Sequence, residues 1–274
     1  MLRFRGKGVH HLGMVLVFVL SFYMGIAGAV AEGKEILMVG HFSEGVDGKG
    51  VPVGWSLKNP GSDSKIAVEG ENGIYFLRML SVNDYFGLGK KLSFDIRKYP
   101  YLSWRWKASK LPEGGDIRKR ETDEQAGQVY VVFPKFPKTL NTRSVGYIWD
   151  SRAPAGFSGT STAYSKMKYF VLQSGPARLN QWISEVRDVY EDYKKLFQEE
   201  PPTLGGVVLY INTQHTKSSA EIFYADIFFS SSPPEGPGSY GNRMASFLAP
   251  QDVCMSPPVK TSSFSTLPAK GGMN

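Results

Sequence analysis

Between Tyr101 and Phe133 the chain reads as two strands flanking a charged loop. In the first, Leu102, Trp104 and Trp106 fall on one face and Ser103, Arg105 and Lys107 on the other, because side chains alternate along a strand. The second, Gln128 to Phe133, puts Val129, Val131 and Phe133 on one face and Tyr130 and Val132 on the other, the pattern of a central strand covered on both sides. The intervening stretch, Pro112 to Gln128, gathers Glu113, Asp116, Arg118, Lys119, Arg120, Glu121, Asp123 and Glu124. It is too polar and too glycine-rich for a core, and loops beside a rigid sheet often carry binding groups.

The same period of two recurs along the chain. Strands are expected at Ile36 to His41, Val51 to Trp55, Lys65 to Glu69, Gly73 to Leu80, Leu88 to Ile96, Ser144 to Trp149, Tyr169 to Gln173, Gly205 to Ile211 and Ala220 to Phe229. Glu71-Asn72-Gly73 is a hairpin turn, since Asn-Gly tolerates positive φ. Short strands about ten residues apart, broken by Gly, Pro and Asn, predict an all-β fold, a β-sandwich or jelly roll over residues 35–230. One segment departs from this. From Pro176 to Glu199 the apolar residues recur at three and four positions, which predicts an amphipathic helix about 36 Å long laid on the sheet. In such a helix Arg187 and Asp192 lie on opposite flanks of the apolar stripe and cannot pair. Residues 231–274 are rich in Ser, Pro and Gly without periodicity and read as a disordered tail.

The ends of the chain change the picture of where it works. Met1 to Ala31 has a basic start, an apolar run from Gly13 to Val30, and Ala29-Val30-Ala31 before Glu32, which is the pattern of a signal peptide. An uncleaved anchor is the rival reading, since the apolar run is nearly long enough to span a bilayer. Cleavage predicts a bacterial protein exported to the periplasm or beyond, with no stable membrane insertion afterwards.

Composition mainly excludes. The net charge is +7, but Arg3, Arg5 and Lys7 carry three of those charges, so loss of the leader leaves +4. The remaining cations are interleaved with acids, so nucleic acid is not an expected partner. Cys254 is the lone cysteine and allows no intramolecular disulfide. Outside the leader only His41 and His215 remain, neither at a metal-ligand spacing, so no metal is expected. No phosphate-binding loop, dinucleotide fingerprint or nucleophile elbow is present, and no cofactor or catalytic residue is assigned.

Several motifs fall in a characteristic order: Leu102-Ser-Trp-Arg-Trp-Lys107, Thr122-Asp123-Glu124 before Val129-Tyr130-Val131, Gly146-Tyr147-Ile148-Trp149, Trp182 with Arg187-Asp188-Val189 and Asp192-Tyr193, and Tyr224-Ala225-Asp226-Ile227. Together they resemble the bacterial family known as domain of unknown function 3047, over roughly Phe42 to Phe229. The resemblance implies an exported β-sandwich shaped like carbohydrate-binding, galactose-binding-like domains, without an assigned activity. It also implies a Thr-Asp-x-Asp-Asn run after the penultimate strand. Here that place holds Asn212-Thr213-Gln214-His215-Thr216, so a cation site there would lack two hard anionic ligands.

The site expected from sequence comprises Arg105, Asp123, Tyr147, Trp149, Arg187 and Asn212. Tyr147, Trp149 and Tyr164 would stack on a sugar ring while the polar members hydrogen-bond it. Trp104 and Trp106 are expected in the core, and Arg105 is expected to pair with Asp123, Glu124 or Asp192. The function expected is binding of a glycan or other small polar ligand without turnover. The alternatives are a polysaccharide hydrolase or lyase, using carboxylates of the 113–124 loop and the helix, and a structural envelope protein.

Overall fold

The computed structural model describes residues 35–59, 64–71, 73–234 and 265–266. The expected signal peptide lies outside the described residues, as does nearly all of the expected tail. Within the tail, Ser265–Thr266 is strand rather than coil.

The described chain is a two-sheet sandwich. In order its strands are β1 (Ile36–Gly40), β2 (Ser56–Lys58), β3 (Lys65–Glu71), β4 (Ile74–Val82), β5 (Tyr85–Phe94), β6 (Tyr101–Lys110) and β7 (Gly127–Phe133), then a one-turn α1 (Lys138–Asn141). There follow β8 (Arg143–Asp150), β9 (Ser158–Thr160), β10 (Met167–Ser174), β11 (Ile183–Asp188), α2 (Val189–Phe197), β12 (Leu204–Asn212), β13 (Ser219–Ser230) and β14 (Ser265–Thr266). The first sheet runs β11-β6-β13-β4-β3-β14, with β1 also on β13, and the second runs β2-β5-β12-β7-β8-β10-β9. All pairings are antiparallel except β8 with β10.

Alternation decides which side chains meet between the sheets. Trp104 and Trp106 of β6 are buried, and their rings face Tyr147 and Trp149 of β8 at 5.4 and 5.7 Å. Val129, Val131 and Phe133 of β7 and Val207, Leu209 and Ile211 of β12 complete the same core. A polar tie joins the layers where Gln128 N donates to Tyr224 Oη at 2.9 Å. Tyr147 and Trp149 are therefore packing residues, which corrects their expected place at an open site. Arg105 points to the other side of β6 and pairs with Asp226 at 2.5 Å, not with Asp123, Glu124 or Asp192. A bulge between Ala225 and Phe228, with Asp226 at φ 50°, delivers that carboxylate.

The long helix expected from Pro176 to Glu199 does not form. Its middle, Ile183–Asp188, is instead an edge strand on β6, and only Val189–Phe197 is helical, about 14 Å. Without β11 the N–H and C=O groups along that edge of β6 would have no ladder, and this backbone demand outweighs a helical spacing of apolar residues. Glu185 and Arg187 turn inward from β11. Glu185 accepts from Trp106 Nε1 at 3.1 Å and Gln173 Nε2 at 2.7 Å. Arg187 lies over Tyr147 and Phe170 and bonds Asp192 at 2.5 and 2.9 Å. The strand-to-helix corner makes this pair possible where one continuous helix would forbid it. Asp188 starts α2 by accepting from Glu191 N at 3.0 Å, and Gln198 ends it in the left-handed region. No helix among the described residues is long and apolar enough to cross a membrane.

Candidate functional site

The second sheet has an outer face whose strands carry a second apolar cluster, built on Ile117, Tyr130, Ile148, Ala153, Tyr169 and Val171. A cleft of about 510 Å³ opens over it, within the range usual for small-ligand sites. Its floor comes from β12, β7, β8 and β10, and its walls from the loops before β7, after β9 and after β12.

The floor is shaped by tyrosines laid on glycines. Tyr130 sits directly opposite Gly146, Tyr210 opposite Gly87, and Tyr169 opposite Gly159. A Cβ at position 146 would stand 2.6 Å from Tyr130 Cε1. One at 87 would stand 2.8 Å from Tyr210 Cδ2, and one at 159 would stand 2.8 Å from Tyr169 Oη. Each missing side chain lets a ring lie down across the neighbouring strand, a cross-strand pairing that fills the gap a glycine leaves. Tyr130 and Tyr169 are thereby almost covered, while Tyr210 stays half-buried. Burial holds their phenols protonated: the Tyr169 hydroxyl is pushed up to about 12, and those of Tyr130 and Tyr210 are also raised.

Amides line one wall in a connected chain. Tyr130 Oη donates to Gln128 Oε1 at 2.7 Å, and Gln128 Nε2 donates to Asn212 Oδ1 at 2.7 Å. Asn212 Oδ1 also accepts from Gln125 N at 3.0 Å, while its Nδ2 donates to the Asp123 carbonyl at 2.6 Å. Asp123 closes the series, accepting from Gln125 Nε2 at 3.0 Å and Thr162 Oγ1 at 3.3 Å. Burial raises the Asp123 carboxyl above its ordinary value, only partly offset by these hydrogen bonds.

Buried carboxylates pin the walls. Glu124, with no exposed surface, accepts from the backbone N–H of His215 and Thr216 and from the Thr216 hydroxyl, which ties the loop before β7 to the loop after β12. Asp150 accepts from Ile117 N at 2.9 Å, Arg152 N at 2.7 Å and Ala153 N at 2.6 Å, tying the first loop to the end of β8. A cleft held in this way is formed before a ligand arrives.

Of the residues expected from sequence, Asp123 and Asn212 line the cleft. Tyr147 and Trp149 lie between the sheets, Arg187 is held by Asp192 at the edge, and Arg105 sits on the outer face of the first sheet, so these four do not meet the other two. Tyr164 is partly exposed beside the cleft, its hydroxyl donating to the Thr142 carbonyl at 3.1 Å. The loop-and-helix carboxylates are not assembled into a pair. Asp116 is bound by Arg118, Asp188 caps α2, and Asp192 holds Arg187 and Tyr147. Sequence reasoning missed Tyr130, Tyr210, Gln128 and Gln214. The signal was there in the outward alternates of β7 and β12 and in the mid-strand glycines opposite them.

The raised Asp123 carboxyl carries a sign that can be checked. Because the folded value exceeds the unfolded one, the native state holds the proton more tightly, and ionisation above that window weighs against folding. Asp123→Asn is therefore expected to melt above wild type at neutral pH, with the gap closing as pH falls into the carboxyl range. Melting curves across that range test this, and a variant less stable at pH 7 would refute it.

Several solved structures are distantly similar to this chain. The family 30 carbohydrate-binding module of a cellulosomal cellulase of Clostridium thermocellum matches at 12% identity, covering 65% of this chain and 95% of that one, with a TM-score of 0.37. The xyloglucanase domain of NopAA, a type three effector from Sinorhizobium fredii, in complex with cellobiose, matches at 13%, 65% and 94%, with a TM-score of 0.39. At these scores the likeness does not extend to individual residues. No protein of curated function matches the sequence. Residues 55–228, from just before β2 to within β13, match the family described as Protein of unknown function (DUF3047), and the chain belongs to that family.

Proposed function

We propose that this protein binds a glycan, without turnover, in the cleft over its second sheet, and that it does so after export from the cytoplasm. What carries the reading is the floor of tyrosines seated on glycines under a wall of amides. Flat aromatic faces suit the apolar side of a pyranose ring, and neutral amides and hydroxyls suit its hydroxyls. Binding is favoured over hydrolysis because Asp123 is the one carboxylate lining the cleft among the described residues, and glycoside cleavage uses two. Export rests on the leader pattern of Met1 to Ala31 and fits a polymeric ligand found outside the cell.

Affinity gel electrophoresis against a panel of cell-wall and plant polysaccharides tests the reading. Retardation is expected on at least one. Tyr210→Ala, which removes the most exposed ring of the floor, is expected to weaken that binding about tenfold and to lower the melting temperature, since the ring also covers Gly87, while the protein stays folded at the temperature of the assay. No retardation on any polymer would overturn the proposal, and so would unchanged binding by the Tyr210 variant.

A further inference from the structure

Two polar side chains of the cleft have no partner among the described residues. Arg120 lines the cleft from the exposed turn Arg120–Thr122, and among the described residues no carboxylate stands at ion-pair distance from its guanidinium. Gln214 is also a lining residue, and its buried Oε1 accepts no hydrogen bond among the described residues. Every other amide traced above is matched to a neighbour, so these two mark what the described residues do not supply. A buried acceptor left empty is unfavourable, and a ligand O–H relieves it. An unpaired guanidinium at a cleft mouth suits a planar anion, with which it forms two parallel hydrogen bonds.

Asp123, the one carboxylate in the lining among the described residues, has both oxygens engaged by Gln125 and Thr162 in the wall and forms no ion pair with Arg120, which leaves that guanidinium to the ligand. The other titratable groups facing the cleft are the basic His215 and the tyrosines. The unfilled positions therefore ask for an anionic group and a hydroxyl on a body flat enough to lie along Tyr210.

We propose, resting on the glycan-binding reading above, that the cleft takes an acidic glycan built of hexuronate units, with Arg120 holding the ring carboxylate and Gln214 Oε1 accepting from a ring hydroxyl. Arg120 then decides specificity between acidic and neutral polymers.

Calorimetric titration of the whole protein at fixed ionic strength tests this, using an oligogalacturonate, a cello-oligosaccharide of equal length, and a sulfated form of the latter. The hexuronate is expected to bind about tenfold more tightly than the neutral oligomer. Arg120→Gln, at an exposed position, is expected to remove that advantage, bringing hexuronate affinity down to that of the neutral oligomer for the same variant, and Gln214→Leu is expected to weaken both. Equal affinity for acidic and neutral oligomers, or hexuronate binding indifferent to Arg120→Gln, would overturn the proposal and leave the glycan reading standing. Sulfated oligomer bound as tightly as hexuronate would reduce the preference to charge alone and overturn the carboxylate assignment. Binding of none of the three would bring down both readings.

Discussion

Asp192→Ala is expected to destabilise the fold by about 3 kcal/mol and to lower the melting temperature by roughly 6–12 °C. One carboxylate there joins a strand, a helix and the core: Oδ2 accepts from Tyr147 Oη at 2.8 Å and Arg187 Nε at 2.9 Å, and Oδ1 accepts from Arg187 Nη2 at 2.5 Å. Truncation leaves a fully buried phenol and a largely covered guanidinium without an acceptor, which is worse than never having had the pair. The loss sits at the low end of the range for broken buried pairs because the Arg187 side chain keeps 30% exposure and can find water. Asp192→Asn, which keeps an acceptor for Tyr147, is expected to lose less. Tyr147→Phe alone is expected to cost about 1 kcal/mol. Combined with Asp192→Ala it should add little, since both changes break the same contact. Thermal unfolding followed by circular dichroism measures all of these. A melting point for Asp192→Ala within roughly 2 °C of wild type would mean that the corner between β11 and α2 is held by apolar packing alone.

That corner also shows where the sequence stopped being readable. The strands that were legible, such as β6, β7, β8, β12 and β13, have both faces constrained, so every second residue reports its side. Residues 183–188 sit at a sheet edge with one face in solvent, and Val186 is exposed there while Glu185 and Arg187 turn inward. A local pattern cannot reveal that β6 needs a partner, because the need arises from residues 101 to 110. The helix start was nonetheless written in Asp188-Val-Tyr-Glu191, a capping pattern that marks Asp188 as the boundary. The site was half legible for a related reason. Asp123 and Asn212 are polar residues at strand ends, where binding groups commonly gather. Tyr147 and Trp149 looked equally suitable by type, and only the pairing of β8 with β7 shows which of its faces turns toward Trp104 and Trp106.

Gly146→Ala is expected to reverse the usual sign of such a change. In the interior of a strand, alanine normally gains about 0.5–1 kcal/mol over glycine by restricting the unfolded chain. At 146 the new methyl would meet Tyr130 Cε1 at 2.6 Å and Cδ1 at 3.0 Å, with Tyr169 Cβ at 3.2 Å on its other side. The ring cannot swing freely away, since its hydroxyl is held by Gln128, which in turn holds Asn212. Overpacking of this kind costs about 1–3 kcal/mol, and the displacement passes along the amide chain into the wall. Stability is therefore expected to fall, and affinity at the cleft with it, even though Gly146 is not among the residues that line it. Gly48→Ala is the control, because a Cβ there meets nothing within 4 Å, and it is expected to leave both quantities in place. Adding Tyr130→Ala to Gly146→Ala should cost less stability than the two changes measured separately would sum to, because the atoms that the methyl strikes are gone, and should restore none of the affinity. Affinity recovering in that double variant would mean that the tyrosine floor is packing and not the surface a sugar meets.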